Sequence, residues 1–204
     1  MKKLSLILLC VIMSSCSFFN GHGSLSGNCY WKYNDYVGNK ADAGAEIELY
    51  SLDDMELKYK VTADLNGNYK IEEVPVGKYF LIIHSKNTTD CPRSHLDNLS
   101  IYNDKIKLLF GFDIKKYKAQ LNEIEKLDSL SNYSLFDKES TDDYYKYEKL
   151  ANEKAIKLIE SFPKDFKNKI KLYTGYSYTY DFSTITIEKD KNINVISDFG
   201  ITCI

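Results

Sequence analysis

The sequence predicts a mainly β protein with a helical insertion, a β-sandwich that carries an α-helical hairpin. Three observations lead there. Residues 27–112 are dominated by short runs of alternating apolar and polar residues, broken by Gly, Asn and Pro turns. Residues 113–172 place apolar residues three and four apart. Alternation at period two then returns over 173–204. The chain has 204 residues, 44% of them hydrophobic, enough for a buried core and not a disordered composition.

The first twenty residues read as export and anchoring. Lys2 and Lys3 form a positive start, and Leu4 to Met13 is an apolar run. That run is shorter than the roughly 20 residues a membrane span needs, and suits a signal peptide. Met13-Ser14-Ser15-Cys16 resembles the lipobox of bacterial lipoproteins, although leucine is more usual at the Met13 position. Cys10 does not fit, because the bulky Leu9 precedes it. The resemblance implies a signal peptide over 1–15, lipid attachment at Cys16 and a lipidated tether over 16–26, rich in Gly and Ser. Several acyl chains on one residue give a durable anchor, at about 0.8 kcal/mol per buried CH₂. Ser17 is not the aspartate that resembles an inner-membrane retention signal, so the expected location is the outer membrane, facing the periplasm. Without Lys2 and Lys3, 25 basic residues stand against 29 acidic ones, a net charge of −4. Nothing in that balance favours nucleic acid.

Beyond Cys10 and Cys16 the chain has Cys29, Cys91 and Cys203, enough for one disulfide and a free thiol in an oxidising compartment. A Cys29–Cys203 bridge would close nearly the whole folded region, worth about 4–5 kcal/mol in the chain-entropy account. Cys91 is the other candidate partner. Cys91-x-x-x-His95 lacks a second ligand pair, so no metal and no cofactor is expected.

The sandwich elements follow in order. Glu46 to Tyr50 alternates, and Leu57 to Thr62 is the next strand. Asp64 to Asn68 is a tight turn, with Gly67 supplying positive φ. Tyr69 to Ile71 is a strand, Val74 to Lys78 a turn, and Tyr79 to Ile83 a continuous apolar run suited to a central strand. Leu99-x-Ile101 and Ile106-x-Leu108 read as a further hairpin. Three motifs carry a resemblance over about residues 45–90: Gly44-Ala45-x-Ile47-x-Leu49, Thr62-x-Asp64-x-x-Gly67-x-Tyr69 and Val74-Pro75-x-Gly77-x-Tyr79. In that order they resemble the carboxypeptidase regulatory-like family. The resemblance implies a transthyretin-like, or prealbumin-like, seven-strand β-sandwich that is non-catalytic and serves as a spacer or binding platform. Related Cna B-type domains form an internal Lys–Asn isopeptide bond aided by a buried Glu. That Glu would fall near Ile83 or His84, neither of which can do its work.

The helical region starts with Asp113 to Leu130, whose stripe is Ile114, Tyr117, Leu121, Ile124, Leu127 and Leu130. Asn132 to Lys138 is a polar connection. Ser140 to Asp143 caps a second helix with a hydroxyl and early acids, and Pro163 stops it. Tyr147, Leu150, Ala151, Ala155, Leu158, Ile159 and Phe162 form its stripe. The two stripes are expected to pack on each other and on the sandwich. At the C-terminal end, Ser183 to Glu188 and Asn192 to Ser197 form a hairpin. Either this hairpin is an addition, or the helices interrupt the sandwich and the last strand closes it beside the first. We favour the second.

Chemistry has few candidates. His22 lies in the tether, His84 ends the apolar strand and His95 lies in a loop. No nucleophile elbow, zinc-binding helix motif or phosphate-cradling loop occurs. Glu72-Glu73 and Asp53-Asp54 are neighbours that cannot both face one sugar. The expectation is therefore a non-catalytic, membrane-anchored lipoprotein that binds or scaffolds another envelope protein or glycan. One rival is a carbohydrate or peptide receptor that uses Tyr176, Tyr178 and Tyr180 as a row on one strand face. Another is a hydrolase with a site assembled only in space.

Overall fold

A computed structural model describes residues 21–136, 141–172 and 177–200. Among the described residues, eight strands form two four-stranded sheets. In the first, β1 (His22–Asn34) lies between β8 (Asn192–Asp198), which pairs with it in parallel, and two antiparallel partners. β5 (Asn68–Pro75) covers the first half of β1, and β2 (Gly38–Ala41) the second. The second sheet has the order β4 (Leu57–Thr62), β3 (Glu46–Ser51), β6 (Gly77–Asp90), β7 (Ser177–Ile187), all antiparallel. The helices interrupt the sandwich, and the β7–β8 hairpin crosses from one sheet to the other. The resemblance implies seven strands; the described residues contain eight, including the short β2 that folds back on β1.

Period two decides what each sheet buries. Tyr79, Leu81 and Ile83 of β6 face the sandwich core with Leu25, Ile47, Leu49 and Ile71. Phe80 and Ile82 face the opposite way, into a second core under the helices with Tyr180 and Phe182 of β7. The apolar run is continuous because β6 is buried on both faces.

Helices begin earlier than the sequence predicts. α1 (Pro92–Ile101) and α2 (Asn103–Phe110) occupy the segment expected as a hairpin around Leu99 to Leu108. Burial shows why. Leu96, Leu99 and Ile106, three to seven positions apart, are buried, whereas Ile101 is 72% exposed. Helical spacing therefore won over a coincidental period of two, helped by Pro92 in the first turn of α1. After a 3₁₀ turn (Ile114–Tyr117), α3 (Lys118–Phe136) and α4 (Thr141–Glu160) form the expected hairpin, followed by α5 (Lys164–Lys169). Their antiparallel register shows in the polar contacts: Lys154 Nζ lies 2.8 Å from Glu123 Oε1, and the Ser131 hydroxyl bonds the Tyr144 carbonyl. Phe112 stacks on Phe166 with ring centres 3.8 Å apart.

The stretch expected as a flexible tether ends at Gly21; residues 22–26 already belong to β1. The glycines of β1 serve close packing. A Cβ on Gly27 would stand 1.9 Å from the Val195 carbonyl oxygen and 2.5 Å from the Tyr69 hydroxyl. One on Gly23 would stand 2.4 Å from the Glu188 carbonyl oxygen. Replacing Gly27 by Ala should therefore push β8 off β1 and lower unfolding stability by about 2 kcal/mol or more, read as a shift in urea midpoint. The matched change Ser26→Ala, on the solvent side, should cost little.

Candidate binding surface

Two of the histidines singled out from the sequence, His84 and His95, meet Tyr180 in the interior. His84 pairs across β6–β7 with Tyr180, and His95 of α1 lies on the Tyr180 ring at 4.8 Å. The Tyr180 hydroxyl donates to the His95 carbonyl at 3.2 Å, and its ring stacks on Phe182 at 4.5 Å. All three side chains are buried. Burial lowers the His84 imidazole to about 4, with Lys171 adding to the effect, and raises the Tyr180 phenol. Together they make a wall between sheet and helices. Beside them, Glu46 binds Lys171 and Lys60, which hold its carboxyl down to about 2. Glu48 takes Lys60 at 2.8 Å and the Tyr50 hydroxyl at 3.1 Å. His22 is exposed and lies 3.9 Å from Glu73. Glu72 pairs with Lys70, and Asp54 with Lys58.

The cysteines differ from expectation. Cys29 is a free thiol, fully buried in the sandwich core, so it makes no bridge with Cys203. Cys29 lies on the inward face of β1, in the core cluster that the two sheets share. Cys91, the alternative candidate, is disulfide-bonded. Cys16 and Cys203 lie outside the described residues. Desolvation raises the Cys29 thiol to about 12, with Asp42 and Asp181 adding to it.

The tyrosine row does not form one exposed platform. Tyr176 lies outside the described residues, Tyr178 is 42% exposed and Tyr180 is 3% exposed. A bulge sets the boundary. Tyr180 pairs with His84 but Tyr178 pairs with Thr89, so residues 85–88 loop out of β6. Two polar residues fix that loop. The Ser85 hydroxyl oxygen accepts from the Thr88 amide at 2.9 Å, and buried Asp42 accepts from the Lys86 amide at 3.1 Å. Lys86 then places its ammonium 5.5 Å over the Tyr178 ring.

This bulge belongs to one end of the sandwich. The same end carries the β1–β2 hairpin, the β2–β3 loop and the β4–β5 turn, as strand directions require. It also displays apolar side chains. Tyr36 is 99% exposed and Leu65 88%, with Tyr33 and Val37 also exposed. They sit on rigid supports. The Asn34 side chain accepts from the amides of Tyr36 and Val37 at 3.0 and 2.7 Å. Asp64 accepts from the amides of Asn66 and Asn68 at 2.8 and 2.9 Å. Lys40 lies 3.7 Å over the Tyr33 ring, which packs edge-on against Trp31. Trp31 itself is partly buried against the sandwich core. Tyr36 and Leu65 stand in turns that the sequence marks only by Asn34-Asp35 and by Asp64 with Asn66-Gly67.

A cleft of about 530 Å³ also runs between α1 and α3. Arg93 lines it, but pairs with Asp128 and reaches Glu148 at 3.8 Å, bracing the helical hairpin. Burial raises the nearby Asp97 carboxyl.

Two measurements follow from the interior groups. Folded His84 stays neutral down to about 4, whereas the unfolded chain takes up a proton below about 6.5. Its contribution is complete above about 6.5 and is lost as pH falls towards 4. Wild type should therefore lose up to about 3 kcal/mol more than His84→Phe across that window, in urea titrations at each pH. The Cys29 thiol should resist maleimide in the native protein and react on denaturation; rapid native labelling of Cys29 would contradict its burial.

No protein-family model matches the chain, and no curated protein is significantly similar to it. Solved structures similar to it include the minor pilin GBS52 of Streptococcus agalactiae, at 12% identity and a TM-score of 0.39, covering 91% of this chain. This chain spans about half of that pilin, 47%. Another is a proposed carbohydrate-binding protein of Pseudomonas aeruginosa, at 8% identity and a TM-score of 0.35, covering 88% of this chain and 89% of the other. Likenesses this distant carry no functional conclusion for this chain.

Proposed function

We propose that the chain is a non-catalytic lipoprotein of the bacterial cell envelope, anchored through Cys16 and presenting the loop end of a carboxypeptidase regulatory-like sandwich to another envelope protein. The observation that carries this reading is the direction of β1. Only residues 17–21 separate Cys16 from His22, a reach of roughly 20 Å when extended. The thirteen residues of β1 then lead away for about 40 Å. An anchor at Cys16 holds the His22 end near the bilayer, with the β5–β6 and β7–β8 turns. The exposed Tyr33, Tyr36, Val37 and Leu65 stand at the far end, where a partner has access. Fixed loops at one end of a rigid sandwich are a common way to build a binding surface. The burial and mutual packing of His84, His95 and Tyr180 support structural roles for them.

Two comparisons test the reading. Cys16→Ser should abolish labelling by radioactive palmitate and move the protein out of the membrane fraction. In anchored protein, a fluorophore at Val76→Cys should be quenched by spin-labelled lipid, and one at Tyr36→Cys should not. Equal quenching at both sites would overturn the orientation.

A further inference from the structure

The outer face of the first sheet holds a shallow dish of about 480 Å³. Strand register builds its floor. One rung crosses Asn194 of β8, Ser26 of β1 and Lys70 of β5; the next crosses Ile196, Asn28 and Asn68. These side chains face away from the core, because Leu25, Cys29, Tyr69 and Ile71, at the alternate positions, are buried.

The polar groups of the dish bond to one another. Ser26 Oγ donates to Asn194 Oδ1 at 3.5 Å and accepts from Asn192 Nδ2 at 2.8 Å. Asn28 Nδ2 donates to Asn68 Oδ1 at 2.9 Å and to the Asn66 carbonyl at 3.0 Å. Side chain to side chain bonds are only about a tenth of those in a protein. Here they hold amides in place before any ligand arrives, which lowers the ordering cost of binding. The inventory that remains is specific. Both N–H groups of Asn28 are engaged, which leaves its Oδ1 to accept. Asn194 accepts through Oδ1, which leaves its NH₂ to donate. At the rim, Asp64 is fixed by two backbone amides, and Ile196 is 59% exposed. Lys70 is paired with Glu72 at 2.5 Å, so the floor offers little net charge.

We propose that this dish binds a neutral saccharide. Neighbouring sugar hydroxyls each donate and accept, which matches one amide acceptor and one amide donor on adjacent rungs. The Asp64 carboxylate accepts from a further hydroxyl, and the C–H face of a ring lies on Ile196. An anionic ligand would meet Asp64 with Lys70 already engaged. The site lies on the flank of the sandwich, apart from the loop end, and does not depend on the lipid anchor.

The test uses the full chain purified in detergent and calorimetric titration with maltohexaose, cellohexaose and chitohexaose, with heparin as the anionic comparison. At least one neutral hexasaccharide should bind saturably, with an affinity insensitive to salt. Asn194→Ala and Ile196→Asp should each weaken it at least tenfold without changing the melting temperature, while Tyr36→Ala should leave it unchanged. The proposal fails if none of the three binds at millimolar concentration, if both floor variants bind like wild type, or if heparin alone binds and is released by salt.

Discussion

The rest of the structure depends on β6 being buried on both faces. A strand at the surface of a sandwich needs one apolar side; β6 has two, with Tyr79, Leu81 and Ile83 in one core and Phe80 and Ile82 in the other. Burying a side chain such as Phe80 contributes about 1.5–3 kcal/mol relative to leaving it in water. Without the helices, Phe80, Ile82, Phe182 and Tyr180 would form one apolar patch on the second sheet. The insertion is thus a required third layer. It explains why α1 starts at Pro92, directly after β6: the chain turns back at once to cover the face that β6 has just laid down.

A second constraint comes from the parallel pairing of β1 with β8. The hairpin that crosses between the sheets brings β8 so near β1 that Gly23 and Gly27 have no room for a Cβ. The Tyr69 side chain crosses beneath Gly27 and donates from its hydroxyl to the Val195 carbonyl at 3.1 Å. One missing side chain therefore allows three strands to be tied at one point. The same closeness buries Cys29, two residues further on, and keeps its thiol out of disulfide chemistry.

The sequence made β3 to β6 legible because alternation, the Gly67 turn and the Pro75–Gly77 turn agree with one another there. The α3–α4 hairpin was legible because its apolar spacing persists for several turns. Short segments were ambiguous. Leu99-x-Ile101 fits a strand locally, and the covering of Leu96 and Ile106, together with Pro92 in the first turn, favours the helix. The Gly and Ser residues of 21–27 look like a tether because glycine has the same signature in a flexible link and in a tight contact. The partner that makes the contact, Val195, lies about as far along the chain as it could. The binding surface was least legible. The tyrosine row came from a correct strand assignment, but a bulge in the neighbouring strand and the position of α1 determine which tyrosine is covered. Nothing local to Tyr178 or Tyr180 records either one.

The polar interior bears on where function can reside. Asp42 fixes the bulge and Asn103 accepts from the Ile114 amide at 2.9 Å; both side chains are buried. Each joins two separate elements, and each has its side-chain oxygen bonded within the protein. Buried groups committed in this way specify the architecture and have no access to solvent. The surface has the opposite character. Asn34 and Asp64 stiffen two loop tips and so hold Tyr36 and Leu65 out in water, where neither side chain contributes to the core. Exposed apolar groups on stiffened turns bring no evident benefit to folding, and a rigid support lowers the entropy lost when such a group is covered. The division between a committed interior and a stiffened, partly apolar exterior is the physical basis for locating recognition on the outside of the sandwich.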